Sequence, residues 1–117
     1  MIRFIFCLLF IFSAKISFAN LAYITNEKDN TVSVIDIKKN KVIKTVEVGQ
    51  RPRGIIMSKD GKLVLICASD DDRVEVREAE TLKLKYYLPS GPDPELFILS
   101  PDDETLYIAN EDDAMVT

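Results

Sequence analysis

The chain has 117 residues, with 15 Lys and Arg against 19 Asp and Glu, and no His. Without His, this stretch cannot build a His-dependent catalytic triad, a His-ligated metal site or a switch that titrates near neutrality. The acidic balance argues against nucleic acid or an anionic membrane as partner.

The chain opens like a secretory leader. Met1-Ile2-Arg3 is a short basic start, Phe4 to Phe12 is an unbroken apolar run, and Ser17-Phe18-Ala19 places small residues at −3 and −1 of a cleavage site after Ala19. The run is too short to span a bilayer, which takes about 20 residues. Phe6 before Cys7 is too large for lipoprotein processing. Residues 1–19 are therefore expected to be a signal peptide and the protein to be periplasmic or otherwise exported, with no membrane span in the mature chain. Losing the leader removes Arg3, Lys15 and Cys7, leaving 13 basic against 19 acidic side chains and a single thiol, Cys67. One Cys allows neither an internal disulfide nor a C-x-x-C-H haem attachment.

From residue 20 onward the sequence repeats itself without a gap at a spacing of 42. Ile24, Ile66 and Ile108 superpose, as do Val32, Val74 and Val116, and Asp29, Asp71 and Asp113. Leu21/Leu63, Val34/Val76, Gly49/Gly91, Pro52/Pro94, Ser58/Ser100 and Asp60/Asp102 match over a single shift, and Tyr23 and Asn26 return two units later as Tyr107 and Asn110. Each unit reads as four short strands. In the middle one they are expected at 54–58, 63–69, 73–77 and 82–88, separated by turn residues such as Lys59-Asp60-Gly61 and Gly91-Pro92-Asp93. Thr31–Asp36 and Arg73–Arg77 alternate apolar and polar residues with period two, and no helical period appears after the leader.

A repeat of about 40–45 residues holding four strands is the signature of a β-propeller blade. The fold expected is all-β, with antiparallel four-stranded blades: residues 20–49 a partial blade, 50–91 a complete one, and 92–117 a truncated one. About 2.3 units are too few for a ring of four to eight blades. The stretch is therefore read as the N-terminal part of a larger ring, expected to have seven blades. The first blade's missing inner strand would come from the far C-terminus.

The segment Tyr23-Ile24-Thr25-Asn26, followed by Asn30-Thr31-Val32-Ser33-Val34-Ile35-Asp36, resembles the YVTN family of exported β-propeller repeats. The loops Gly49–Gly54, Cys67–Asp72, Ser90–Glu95 and Asn110–Asp113 are similar to those of the PQQ-dependent-catabolism-associated β-propeller proteins. Asp72 and Ala114 depart from the pattern at the position held by Asn30. The resemblance implies an exported protein associated with quinoprotein alcohol oxidation. PQQ enters by pathway association only, because no cofactor site is evident in the residues.

Successive connections in an up-and-down blade alternate between the two faces of the disc. Arg51, Arg53, Asp70, Asp71, Asp72, Asp93, Glu95, Glu111, Asp112 and Asp113 are thereby expected on one face, as the candidate ligand- or partner-binding residues, while ordinary turns occupy the other. Each group has two readings. Arg51 and Arg53, flanking Pro52, suit the carboxylates of an anionic ligand such as a tricarboxylated quinone, or they bridge to acidic residues of neighbouring blades. The clusters 70–72 and 111–113 offer hard oxygen ligands to Ca²⁺, or they serve as turn residues and an acidic rim. Asp93 and Glu95 form a carboxylate pair fit for acid–base work, but no nucleophile accompanies them. Tyr23 and Tyr107 are expected to pack between blades, Cys67 to be buried and inert, and Asn26 and Asn110 to bond turn backbone.

The function expected is an exported, non-catalytic scaffold. It would bind a periplasmic protein of a quinoprotein oxidation system or a small ligand. The alternatives are a propeller enzyme with its catalytic or cofactor residues beyond Thr117, and a cell-surface adhesion repeat.

Overall fold

A computed structural model describes residues 20–117; the expected signal peptide lies outside the described residues. Three antiparallel sheets follow one another along the chain. The first is β1 (Leu21–Asn26), β2 (Thr31–Asp36) and β3 (Lys41–Glu47). The second, a complete four-stranded blade, is β4 (Pro52–Met57), β5 (Leu63–Ala68), β6 (Arg73–Glu78) and β7 (Leu84–Pro89). The third is β8 (Pro94–Leu99), β9 (Leu106–Asn110) and β10 (Met115–Val116). Every strand pairs with its sequence neighbour, so each sheet is a simple meander. The chain therefore has the all-β blade architecture that its period implies.

β5 explains why the sheets stack. Leu63-Val64-Leu65-Ile66-Cys67 is a continuous apolar run rather than an alternating one, as a strand covered on both faces requires. Val64 and Ile66 point one way, into a cluster with Val32 and Val34 of the first sheet, edged by Leu21 and Tyr23. Leu65 and Cys67 point the other way, joining Val74, Val76 and Ile108, edged by Phe97, Leu99 and Leu106 of the third sheet. Burial pushes the Cys67 thiol up to about 12, so it stays protonated and inert.

The 42-residue period reaches single backbone angles. Positive φ occurs at Asn30, Asp72 and Ala114, at Asn40 and Leu82, at Arg51 and Asp93, and at Gly61 and Asp103. Each set is one position of the repeat. The ladder irregularity between Val34 and Ile35 recurs between Val76 and Arg77. Asn and Asp tolerate the left-handed region best. Leu82 does not, yet its side chain is fully buried, and the Arg77 guanidinium donates to its carbonyl at 2.8 Å. That turn is why the last strand of the middle blade begins at Leu84 rather than at Leu82. Its first strand, in turn, starts at Pro52, which pairs with Ala68 ahead of a bulge. Ser69 leaves β5 to open a short 3-10 turn, Ser69–Asp71.

Arg77 also donates to Glu75 at 2.7 Å, and both side chains are at most 10% exposed. Breaking a buried pair leaves an uncompensated charge, which costs about 3–5 kcal/mol, whereas replacing both partners with apolar residues costs far less. Glu75→Ala should therefore lower the urea midpoint much more than Glu75→Leu combined with Arg77→Met. Equal losses for the two variants would show that the pair is not buried as described.

Candidate partner-binding face

The loops entering the innermost strands and the loops joining second to third strands do share one face. Arg51 stands in the loop before β4 with φ 49°, and its amide donates to Asn30 Oδ1 at 2.8 Å. One repeat later Asp93 stands before β8 with the same φ of 49°, and its amide donates to Asp72 Oδ1 at 2.9 Å. The two loops are thus one backbone structure carrying opposite charges. Those charges meet: Arg51 Nη2 contacts Asp93 at 2.5 Å, while its Nε donates to Asp70 at 2.6 Å.

The same reversal holds two residues on, where Arg53 of β4 and Glu95 of β8 are repeat equivalents 3.0 Å apart. Arg53 also contacts Glu111 at 2.6 Å and Glu27 at 3.8 Å. One guanidinium therefore gathers carboxylates from both neighbouring sheets. Hydrogen bonding to Asp93 raises the Arg51 pKa, and hydrogen bonding to Glu111 raises that of Arg53. The Arg51 hydrogen bond holds the Asp93 carboxyl below the usual carboxylate range. Of their two readings, the arginines follow the bridging one.

The acidic clusters diverge rather than converge. Asp70 turns to Arg51, Asp71 accepts from the Gln50 amide at 3.0 Å and from Arg73 at 3.1 Å, and Asp72 accepts from the Asp93 amide. Glu111 is held by Arg53, Asp113 caps the Met115 amide at 3.0 Å, and Asp112 is exposed. This is turn and bridge chemistry, without a shared centre for a cation. The Asp93 and Glu95 carboxylates pair with two different arginines.

Tyr23 does tie blades together, its hydroxyl donating to the Ala79 carbonyl of the next sheet at 2.9 Å. Asn26 corrects the expectation of turn bonds: its amide reaches across the strand pair to Thr31 Oγ1 and Ser33 Oγ, each at 2.9 Å. Asn110 repeats the pattern to Thr117 Oγ1 at 2.9 Å. It also accepts from the Gly91 amide at 3.1 Å. A Cβ on Gly91 would sit 2.6 Å from the Asn110 amide, so this contact needs glycine.

With the arginines neutralised, the face is strongly acidic. Its loops at 26–30, 50–53, 69–73, 90–95 and 110–114 carry ten carboxylates against four cationic side chains. The opposite face is nearly balanced, its turns tied by contacts such as the Lys59 amide donating to Asp103 and the Lys44 ammonium donating to the Thr81 carbonyl. Among the described residues, no helix is long and apolar enough to cross a membrane.

These features define a segment of a β-propeller. The chain belongs to the cytochrome D1 heme domain family, whose model matches residues 11–95 and which is a family of eight-bladed propellers. Among solved structures, hydrazine synthase from Kuenenia stuttgartiensis is similar, with 25% identity and a TM-score of 0.75 over 80% of this chain and 26% of that one. Dihydro-heme d1 dehydrogenase NirN in complex with DHE matches at 22% identity and a TM-score of 0.66, over 78% of this chain and 20% of that one. A functionally unknown protein from Desulfotomaculum acetoxidans DSM 771 matches at 18% and 0.69, over 84% and 37%. The chain thus spans between a fifth and two fifths of the length of these three solved chains. No curated protein matches it significantly.

The family description raises haem, and the residues in hand do not fit one. The stretch has no His, the Cys67 thiol is sealed between sheets, and the arginines that would receive haem carboxylates are already committed to acids. The surrounding field repels an anionic macrocycle.

Arg51 and Asp93 are partly screened by solvent, which sets the scale of their tie. A double-mutant cycle with Arg51→Gln and Asp93→Asn should give a coupling of about 1 kcal/mol at neutral pH. Because the folded-state pKa of Asp93 lies below its unfolded value, this stabilisation is complete above about pH 4 and is lost as pH falls through the lowered pKa. A cycle giving no coupling at pH 7, or the same coupling well below pH 3, would contradict the assignment.

Proposed function

We propose that this chain is part of an exported, non-catalytic β-propeller that docks a positively charged protein partner on its acidic loop face, within a PQQ-linked alcohol oxidation system. The observation that carries the reading is the charge asymmetry between the two faces. Arg51 and Arg53 are spent on internal ties, so the carboxylates left over, among them Asp29 and Asp112, set the potential a partner meets. Such a field steers association and favours a basic surface over an anionic ligand. The pathway and the export rest on the loop resemblance and the leader, and PQQ is assigned to the pathway rather than to a site on this chain. Membership of a haem-domain family favours a second reading, a haem-carrying propeller whose ligands lie outside this stretch.

A deletion strain should grow poorly on alcohols and normally on other carbon sources. Complementation with the gene carrying Asp29→Asn and Asp112→Asn should restore alcohol growth only in part, at unchanged protein level, because both side chains are exposed. Undiminished alcohol growth of the deletion strain would overturn the pathway assignment. Full rescue by the neutralised gene would overturn the docking face. A haem absorbance band in the purified native protein would favour the second reading.

A further inference from the structure

The near balance of charge on the face opposite the loops conceals a separation within it. The outer turns of the first and second sheets, with the residues that open β3 and β7, run over 36–44 and 78–85. Together these stretches hold six lysines against three carboxylates, whereas the inner turn of the third sheet, 100–105, holds three carboxylates and no cation. Lys44 on β3 donates to the Thr81 carbonyl, which brings the two lysine-bearing turns side by side. Asp36 takes Lys39 at 3.1 Å and Glu78 takes Lys85 at 3.8 Å. Among the described residues, Lys38, Lys41 and Lys83 pair with no carboxylate. The repeat shows that this rim is a surface whatever stands beside the first sheet. Lys38, Lys39, Lys41 and Ile43 are the equivalents of Glu80, Thr81, Lys83 and Lys85. The middle blade has a sheet on each side, and all four of those residues are exposed in it. Ile43, 53% exposed, therefore sets an apolar side chain at a solvent position where the middle blade has Lys85. Tyr87, on the outer strand β7, is also exposed, with the Arg73 guanidinium 4.2 Å from its ring centre.

We infer that this lysine rim docks on a bilayer surface of anionic lipid, with Ile43 seated among the headgroups. The acidic balance of the whole chain argues against such a surface, but a headgroup meets only the charges within a Debye length of it. Lysines are hydrated point charges on flexible stems, suited to a layer of phosphates rather than to one fixed ligand. The rim differs in this from the loop face, where Arg51 and Arg53 are fixed by carboxylates of the chain. An isoleucine between Lys41 and Lys44 fits an interface in which apolar tips enter the acyl boundary while ammonium groups stay in water. A tyrosine suits the same boundary, with an apolar ring and a polar tip. The carboxylates of the 100–105 turn and of the loop face are repelled by lipid, which confines contact to the rim. The loop face then points away from the bilayer. The inference stands without the partner proposed for that face.

The test is flotation of the purified native protein with vesicles of phosphatidylcholine alone and of phosphatidylcholine carrying about 30% phosphatidylglycerol. The protein should float with the anionic vesicles at low salt and be released as salt rises. Lys38→Gln combined with Lys41→Gln should weaken binding roughly 30-fold. Ile43→Ser, which leaves the charge unchanged, should weaken it at every salt concentration. Lys28→Gln removes an exposed cation from the loop face and should leave binding as it was. Circular dichroism verifies that each variant is folded. No binding to the anionic vesicles, or equal binding to the neutral ones, would overturn the inference. So would a loss in Lys28→Gln as large as in the rim variant, or an Ile43→Ser variant that binds like the wild type. Capture of the wild type on polyglutamate without any flotation would assign the rim to an acidic protein instead.

Discussion

Burial of β5 on both of its faces is the constraint on which the rest of this molecule depends. A strand with Val64 and Ile66 on one side and Leu65 and Cys67 on the other cannot stand at a surface, so it demands a sheet on each side. The first and third sheets answer that demand with Val32 and Val34, and with Phe97, Leu99 and Ile108. Because the covering sheets are copies of the covered one, each turns a similarly apolar back outward. Stacking that buries one copy exposes the next, which is the physical logic of a repeat architecture.

The loop face inherits its character from the same repetition. Identical left-handed turns place Arg51 and Asp93 at corresponding points of adjacent units. Reversing the charge between those units converts a repeated position into an inter-blade tie. Arg53, Glu95, Glu111 and Glu27 extend it. Ties of this kind add modest stability, since the groups remain partly hydrated. Their larger effect is on what the face presents: the arginines turn to carboxylates of this chain, and the excess anions meet solvent. The same pairing bears on haem: Arg51 and Arg53 are held by carboxylates of this chain. The stretch itself has no imidazole to offer.

The fold was legible because its signal is redundant. Gapless recurrence of Ile24, Ile66 and Ile108, with turn residues in phase, specifies four-stranded units whatever the individual propensities say. Strand ends were less so. Leu82 gives no hint in sequence of its left-handed turn, which its burial and the Arg77 contact sustain, and the pairing of Pro52 depends on a bulge. The face assignment followed from topology alone. The partners on that face did not, although a signal was present: Arg51 with Asp93, and Arg53 with Glu95, are opposite charges one period apart. Reading repeat positions for charge complementarity, as well as for identity, finds both ties. Asn110 does bond turn backbone at the Gly91 amide, but the hydroxyls that Asn26 and Asn110 reach across the ladder are set by a register that no local pattern reveals.

Amide hydrogen exchange on the native protein tests the stacked arrangement most directly. Two-sided burial should make the amides of β5, residues 63–68, exchange more slowly than those of β7, the largely exposed outer strand of the same sheet. Exchange in β5 as fast as in β7 would mean that the sheets do not close over it, and the account built on that burial would fail.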